Sequence, residues 1–133
     1  MNLFGVMAVS GSGLKAQRVR AEITAANLAN VETTRTADGT PYQRQHVVFG
    51  ARQSSFAGVM SGANASKQMG VQVEGLLTDQ APPLKRFEPS NPDADEQGFV
   101  SYPDINPVEE MTDLMGAVQA TKNMIQQSID ILK

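Results

Sequence analysis

Two long stretches of helical periodicity enclose a middle that alternates as strands do. Over residues 7–30, Val9, Ser12, Ala16, Val19, Ile23, Ala26 and Asn30 recur at spacings of 3 and 4, an a/d seam. A second seam, Met7, Leu14, Ala21, Ala25 and Leu28, falls on the opposite side of the same helix at about 100° per residue. A helix resting on its own domain needs one apolar stripe. This one carries two, so it is expected to have neighbours on both sides.

A second helix is predicted over residues 107–133. Asn106 is a good N-cap, Pro107 suits the first helical position, and Glu109 three residues on completes a capping box. Glu109, Glu110 and Asp113 sit where the helix dipole favours acids. The seam runs Val108, Met111, Met115, Val118, Lys122, Ile125, Ile129, Leu132, and a flanking stripe of Leu114, Ala117, Thr121, Met124, Ser128 and Ile131 widens the apolar face. At 1.5 Å per residue this helix is about 40 Å long, more than a small middle domain can cover.

Between the helices, Asp38-Gly39 and Pro41 make a turn, residues 42–52 alternate as a strand, and Val71 and Val73 alternate with Gln72 and Glu74 in another. Residues 84–88 suit a further strand. Residues 50–70, rich in Gly, Ser and Ala, read as a flexible loop. Pro89, Pro92, Pro103 and Pro107 predict an extended return segment. The expected fold class is α+β. Its parts are an inner-core domain of paired, coiled-coil-like terminal helices (1–35 and 107–133), a β-rich middle (36–88) and an extended Pro-rich linker (89–106).

Composition narrows the function. The net charge is −3, and Lys85–Arg86 is the sole adjacent basic pair among 11 basic residues, so nucleic-acid binding by counterion release has no visible footprint. With no cysteine, disulfides, thiolate metal sites and Cys nucleophiles are excluded. Aromatics make up 5% of the chain and Trp is absent, which favours helix-on-helix packing over a dense core around a pocket. The apolar run Leu3 to Val9 is too short for a membrane span, and no basic residue precedes Lys15, so no cleaved signal peptide is expected.

Candidate chemistry is thin. Asp93, Asp95 and Glu96 before Gly98 suggest the start of a calcium loop, but the twelfth position is Asp104 beside Pro103, so a solvated acidic turn is the better reading. His46 has no second histidine and no serine elbow near it. Gly11-Ser12-Gly13 lacks the Lys and the strand of a phosphate loop, and the seven methionines suit packing better than metal ligation. No catalytic, metal or cofactor residue is expected. Asn27 and Asn30 leave two readings open. Asn30 as a helix C-cap makes Asn27 a surface residue; alternatively both fix register at a packed interface. The positions expected at an assembly interface are Val9, Leu14, Ala16, Val19, Ile23, Ala26, Asn27, Leu28 and Asn30 on the first helix. On the second they are Val108, Met111, Met115, Val118, Ile125, Ile129 and Leu132.

These residues carry a resemblance. Ser12-Gly13-Leu14-Lys15-Ala16-Gln17, then Ala26-Asn27-Leu28-Ala29-Asn30, resemble the N-terminal signature of the axial proteins of the bacterial flagellum, the rod and hook family. Gly39-Thr40-Pro41-Tyr42-Gln43-Arg44 is similar to the element that follows it. The run from Asn91 to Val100, Pro103-Asp104-Ile105-Asn106 and Val108-Glu109-Glu110-Met111 resemble the proximal rod members. The resemblance implies a structural subunit exported unfolded by the flagellar type III apparatus without a cleaved signal. It also implies packing in a helical tube in the periplasm with further copies of itself and the rod proteins FlgB, FlgF and FlgG, and no cofactor. One departure is a missing R-x-[YF]-x-x-N-V stretch between Ala120 and Thr121. It amounts to about eleven residues, close to three helical turns, so the apolar face stays in phase. Two other classes compete with the rod subunit: a soluble helical adaptor or chaperone binding partner helices, and a calcium-binding module.

Overall fold

The computed structural model describes residues 3–52 and 70–133. Its order is α1 (Leu3–Ala29), β1 (Gln45–Ala51), β2 (Val71–Thr78), β3 (Leu84–Phe87), β4 (Phe99–Tyr102) and α2 (Pro107–Leu132). The terminal helices and small antiparallel sheets make an α+β fold. Most of the loop expected over residues 50–70 lies outside the described residues, and Gly50 and Ala51 belong to β1.

α2 begins as its sequence requires. Asn106 keeps an extended backbone (φ −93°) and its side chain accepts from the Val108 N–H at 3.0 Å. Its carbonyl takes the first helical bond from the Glu110 N–H at 3.1 Å. α1 and α2 then pack antiparallel. Gly13 lies against Met124, Arg20 against Asp113 and Gly116, and Asn27 against Glu110, so sequence order runs opposite on the two helices. The contact uses small residues: a Cβ added at Gly13 would stand 3.0 Å from the Met124 sulfur.

The stripe that closes this hairpin differs from the expected seam. On α2 the buried and half-buried positions are Glu110, Asp113, Leu114, Ala117, Ala120, Thr121, Met124 and Ser128, mostly the flanking stripe. The a/d seam lies about a quarter turn away at 100° per residue, and is exposed. The cause is steric. Gly13 leaves room for the Met124 side chain, and Ala16 and Ala117 are both buried, so this stripe lets the helices come close.

The middle consists of two separate two-stranded sheets. β1 and β2 pair from Gln45↔Thr78 to Ala51↔Val71, with a bulge between Val48 and Phe49. Isolated hairpins of this size are marginal, and this one leans on α1. Ser12 Oγ donates to the Val9 carbonyl at 2.7 Å and accepts from the Val71 N–H at 3.1 Å.

The segment expected as an extended linker is folded back on itself. β3 pairs with β4 from Leu84↔Tyr102 to Phe87↔Phe99, so residues 99–102 form a strand inside it. Residues 88–98 form successive turns, closed by Glu88 N–H to the Gly98 carbonyl at 2.9 Å. Asp95 Oδ1 accepts from the Gln97 and Phe99 N–H groups. Proline spacing signals no helix, but it does not separate an extended run from a chain of turns. Thr34 Oγ1 donates to Asp93 at 2.7 Å and Arg35 approaches it at 3.3 Å, tying this loop to the segment after α1. The Tyr102 hydroxyl donates to Glu88 at 2.7 Å. That bond, with a second from Asn91, holds the Glu88 carboxyl below its ordinary range, and it pushes the Tyr102 hydroxyl up.

Gly98 is the tightest point of the loop. Its φ is +87°, and a Cβ there would meet the Phe87 ring at 2.9 Å. Gly98→Ala is expected to cost about 1–3 kcal/mol, from left-handed strain and the displaced ring. Gly39→Ala has a similar φ of +79° but open space around it, and should cost less. Urea midpoints of the two variants check the order.

Buried hydrophobic residues are few among the described residues: Ala16, Val100, Tyr102, Ile105 and Ala117. Many large apolar side chains stand in solvent. The apolar content is on the surface rather than in a core.

Candidate assembly surface and the polar clasp behind it

The expected interface residues separate into two groups. On α2, Val108 (69% exposed), Met111, Met115 (72%), Val118, Ile125, Ile129 and Leu132 all face solvent. Their spacing keeps them on one side of the helix, as an apolar strip interrupted by Lys122 between Val118 and Ile125. Among the described residues these side chains stay 45–72% exposed, with Leu132 at the edge of a groove against α1. Exposed apolar strips of this length mark interaction surfaces.

On α1 the expected residues are largely consumed inside the chain. Ala16 and Asn27 are buried, while Val9, Leu14, Val19, Ile23, Ala26, Leu28 and Asn30 are half-buried. Val19 shares a groove with Val71 and Val73 of β2, and Ile23 lies beside Val47 and Phe49 of β1. Leu14 lines an apolar groove with Val6, Met7, Ser128, Ile131 and Leu132, where the start of α1 meets the end of α2. The first seam therefore serves the β hairpin and α2, and Met7 on the second seam remains exposed. Asn30 donates its side-chain N–H to the Ala26 carbonyl at 2.8 Å, a second bond to an oxygen that its own backbone N–H already reaches at 3.0 Å.

Asn27 is 1% exposed, so the surface reading of it does not hold. Its side chain uses every polar site it has. Nδ2 donates to the Gln45 carbonyl at 2.8 Å and to Glu110 Oε2 at 3.3 Å. Oδ1 accepts from the Tyr42 hydroxyl at 2.8 Å and from the Gln45 N–H at 3.0 Å. The amide thus pairs with the Gln45 backbone as a neighbouring strand does, and no other residue type has donor and acceptor at this reach.

Glu110, also 1% exposed, takes the Arg44 Nε–H on its other oxygen. Arg44 reaches on to Asp113 at 3.6 Å, and Arg20 approaches the same carboxylate at 3.7 Å. His46 Nε2 sits 3.2 Å from Arg44 at the margin of this group, and Asp79 3.8 Å from it. Burial, and then the negative field of Glu110, push the Tyr42 hydroxyl up, which keeps it a donor to Asn27. Among the described residues no buried side-chain polar atom lacks a partner. Saturated in this way, the buried part of the cluster is a fastening.

Of this cluster, sequence reasoning singles out Asn27 and misses the roles of Tyr42, Arg44 and Glu110. Tyr42 and Arg44 had been noted as part of a motif without a role, and Glu110 was explained by the helix dipole. Its burial was the missing fact. A carboxylate in a first helical turn has two possible reasons to be there, and only packing separates them.

Comparison with known proteins bears on both features. A model of the family "Flagella basal body rod protein" matches residues 7–35, spanning most of α1 and the helix end that carries Asn27 and Asn30. The flagellar basal-body rod protein FlgC of Borreliella burgdorferi is 32% identical, over 100% of this chain and 99% of its own length. The chain belongs to the FlgC family of flagellar basal-body rod proteins. FlgC of Bacillus subtilis is 33% identical over 100% of both chains, and FlgC of Aquifex aeolicus is 37% identical over 90% of this chain and 82% of its own. The first two FlgC alignments run over 151 positions against 133 residues here, so those relatives carry residues that this chain lacks. The adaptor alternative is not favoured by matches of this extent, and relatives that are rod proteins agree with a non-enzymatic role.

Proposed function

We propose that this chain is a self-assembling structural subunit of the flagellar rod, contributing to the shaft that carries torque across the periplasm. The observation that carries the reading is the uncovered strip from Val108 to Leu132 on α2, in a chain of the FlgC family. Burying a Val, Leu, Ile or Met side chain is worth about 1.5–3 kcal/mol. Seven such side chains suffice to hold a subunit once a neighbouring helix covers them, after the ordering cost of association is subtracted. α1, with Ala16, Val19, Ile23 and Asn27 already engaged in its own chain, offers neighbours Met7 and the half-buried Leu14 and Leu28 instead.

In this reading the partners are other copies of the chain and the rod proteins FlgB, FlgF and FlgG. The subunit is delivered by the flagellar type III export apparatus, and no cofactor takes part. The 1–35 and 107–133 segments form the inner layer of the tube, with the hairpins outside. The experiment is cryo-electron microscopy of basal bodies purified from cells in which this chain is the sole FlgC-family protein. Density for α1 and α2 in the rod, with the Val108–Leu132 strip against a neighbouring helix, is the expected result. Basal bodies with complete rods after deletion of the chain would overturn the reading.

A further inference from the structure

The clasp joins three pieces of chain, and its charges are divided unevenly among them. Asn27 comes from α1, Glu110 and Asp113 from α2, and Tyr42, Arg44 and Gln45 from the arm that leads into β1. The one guanidinium on Glu110 is therefore supplied by neither helix. Arg20, the nearest cation on α1, is occupied by Gln17 at 3.3 Å and Asp113 at 3.7 Å. Arg18 is paired with Glu22 in solvent at 3.0 Å.

We propose that the 42–45 arm gates the pairing of the two helices: α2 seats on α1 only when the arm has brought Arg44 onto Glu110. Seating α2 without the arm buries the Glu110 carboxylate against a single amide N–H at 3.3 Å. An ionised group left so poorly compensated strongly disfavours the closed state. Elsewhere the helices meet where Met124 lies against Gly13 and along the groove of Val6, Leu14 and Ile131, whose side chains stay half-buried or exposed, so this contact offsets the buried charge only in part. Arm docking is in turn conditional on the helices. The Tyr42 hydroxyl and both Gln45 backbone groups find their partners on Asn27, beneath α2. Each piece is thus the condition for the others, and the hairpin closes as one cooperative unit. On the rod reading, this gate fixes when the α2 strip takes up its assembly-ready position; the gate itself does not depend on that reading.

The test uses the full chain in dilute solution. The chain has no cysteine, so L14C with S128C places a unique thiol pair across one groove between α1 and α2. The rate of disulfide formation under a mild oxidant then reports closure. Arg44→Ala is expected to slow cross-linking by at least about tenfold, as an unpaired buried charge requires. Adding Glu110→Gln to it removes the charge while keeping the shape, and should restore most of the rate. Arg18→Ala, at an exposed pair, should leave the rate unchanged. Wild-type cross-linking in Arg44→Ala overturns the proposal. So does a double variant as slow as the single one, because the arm would then act by packing and not by supplying charge. The readout is a property of one chain, so either negative result leaves the rod assignment standing.

Discussion

Asn27→Asp is expected to unfold the helix pair at neutral pH, although it changes one atom type. The substitution replaces two N–H donors by a carboxylate oxygen. That oxygen then faces the Gln45 carbonyl and the Glu110 carboxylate, both of which the native amide served as donor. Two buried carboxylates would share Arg44, with the second unpaired. Breaking a buried ionic arrangement costs about 3–5 kcal/mol. Total stabilities of domains are about 5–15 kcal/mol, so this loss is a large share of what a chain with so small a core has. Asn27→Ala leaves the Tyr42 hydroxyl and the Gln45 backbone unsatisfied without adding charge, and should cost less, about 1–3 kcal/mol. Urea denaturation followed by far-ultraviolet circular dichroism gives both values. An Asp variant within about 1 kcal/mol of wild type, the size of an ordinary net hydrogen bond, would show that the clasp is ornamental.

Ile125→Asp is the complementary experiment, harmless to the monomer and severe for assembly. Ile125 is 46% exposed on α2, beside Met124, which lies against Gly13 of α1. In the free chain the aspartate stays hydrated, and the urea midpoint should hardly move. Against a neighbouring helix it must shed that water, at a cost of several kcal/mol repeated in every copy. Complementation of a strain lacking the chain should give no rods and no swimming. Normal rods from this variant would remove the α2 strip from the assembly surface.

The two sites were not equally legible. The ends of α2 could be read because Asn106 and Pro107 are local signals whose physics needs no tertiary context. The strip on α2 could be read because spacing alone aligns Val108 with Leu132 on one side of a helix. Which of the two α2 stripes faces α1 could not, since that depends on Gly13 and Ala16 across the gap. The turns at residues 88–98 escaped for a similar reason. Their closing bonds, from Asp95 and from the Glu88 N–H, are made by residues that suit an extended segment equally well. The clasp was the least visible feature. Asn27, Arg44 and Glu110 lie far apart in sequence, and each has an adequate local explanation by itself.

The pairing of Asn27 with the Gln45 backbone has a consequence for what this chain must not do. Unpaired strand edges invite chain after chain to add on as in amyloid. By occupying both backbone groups of Gln45, the Asn27 amide closes β1 at its first residue. The bulge at Val48 and Phe49 breaks the regularity of the same strand further along. An incoming strand meets an edge already capped at one end and kinked in the middle, so the side chain that fastens the helices also keeps β1 from adding strands of its own.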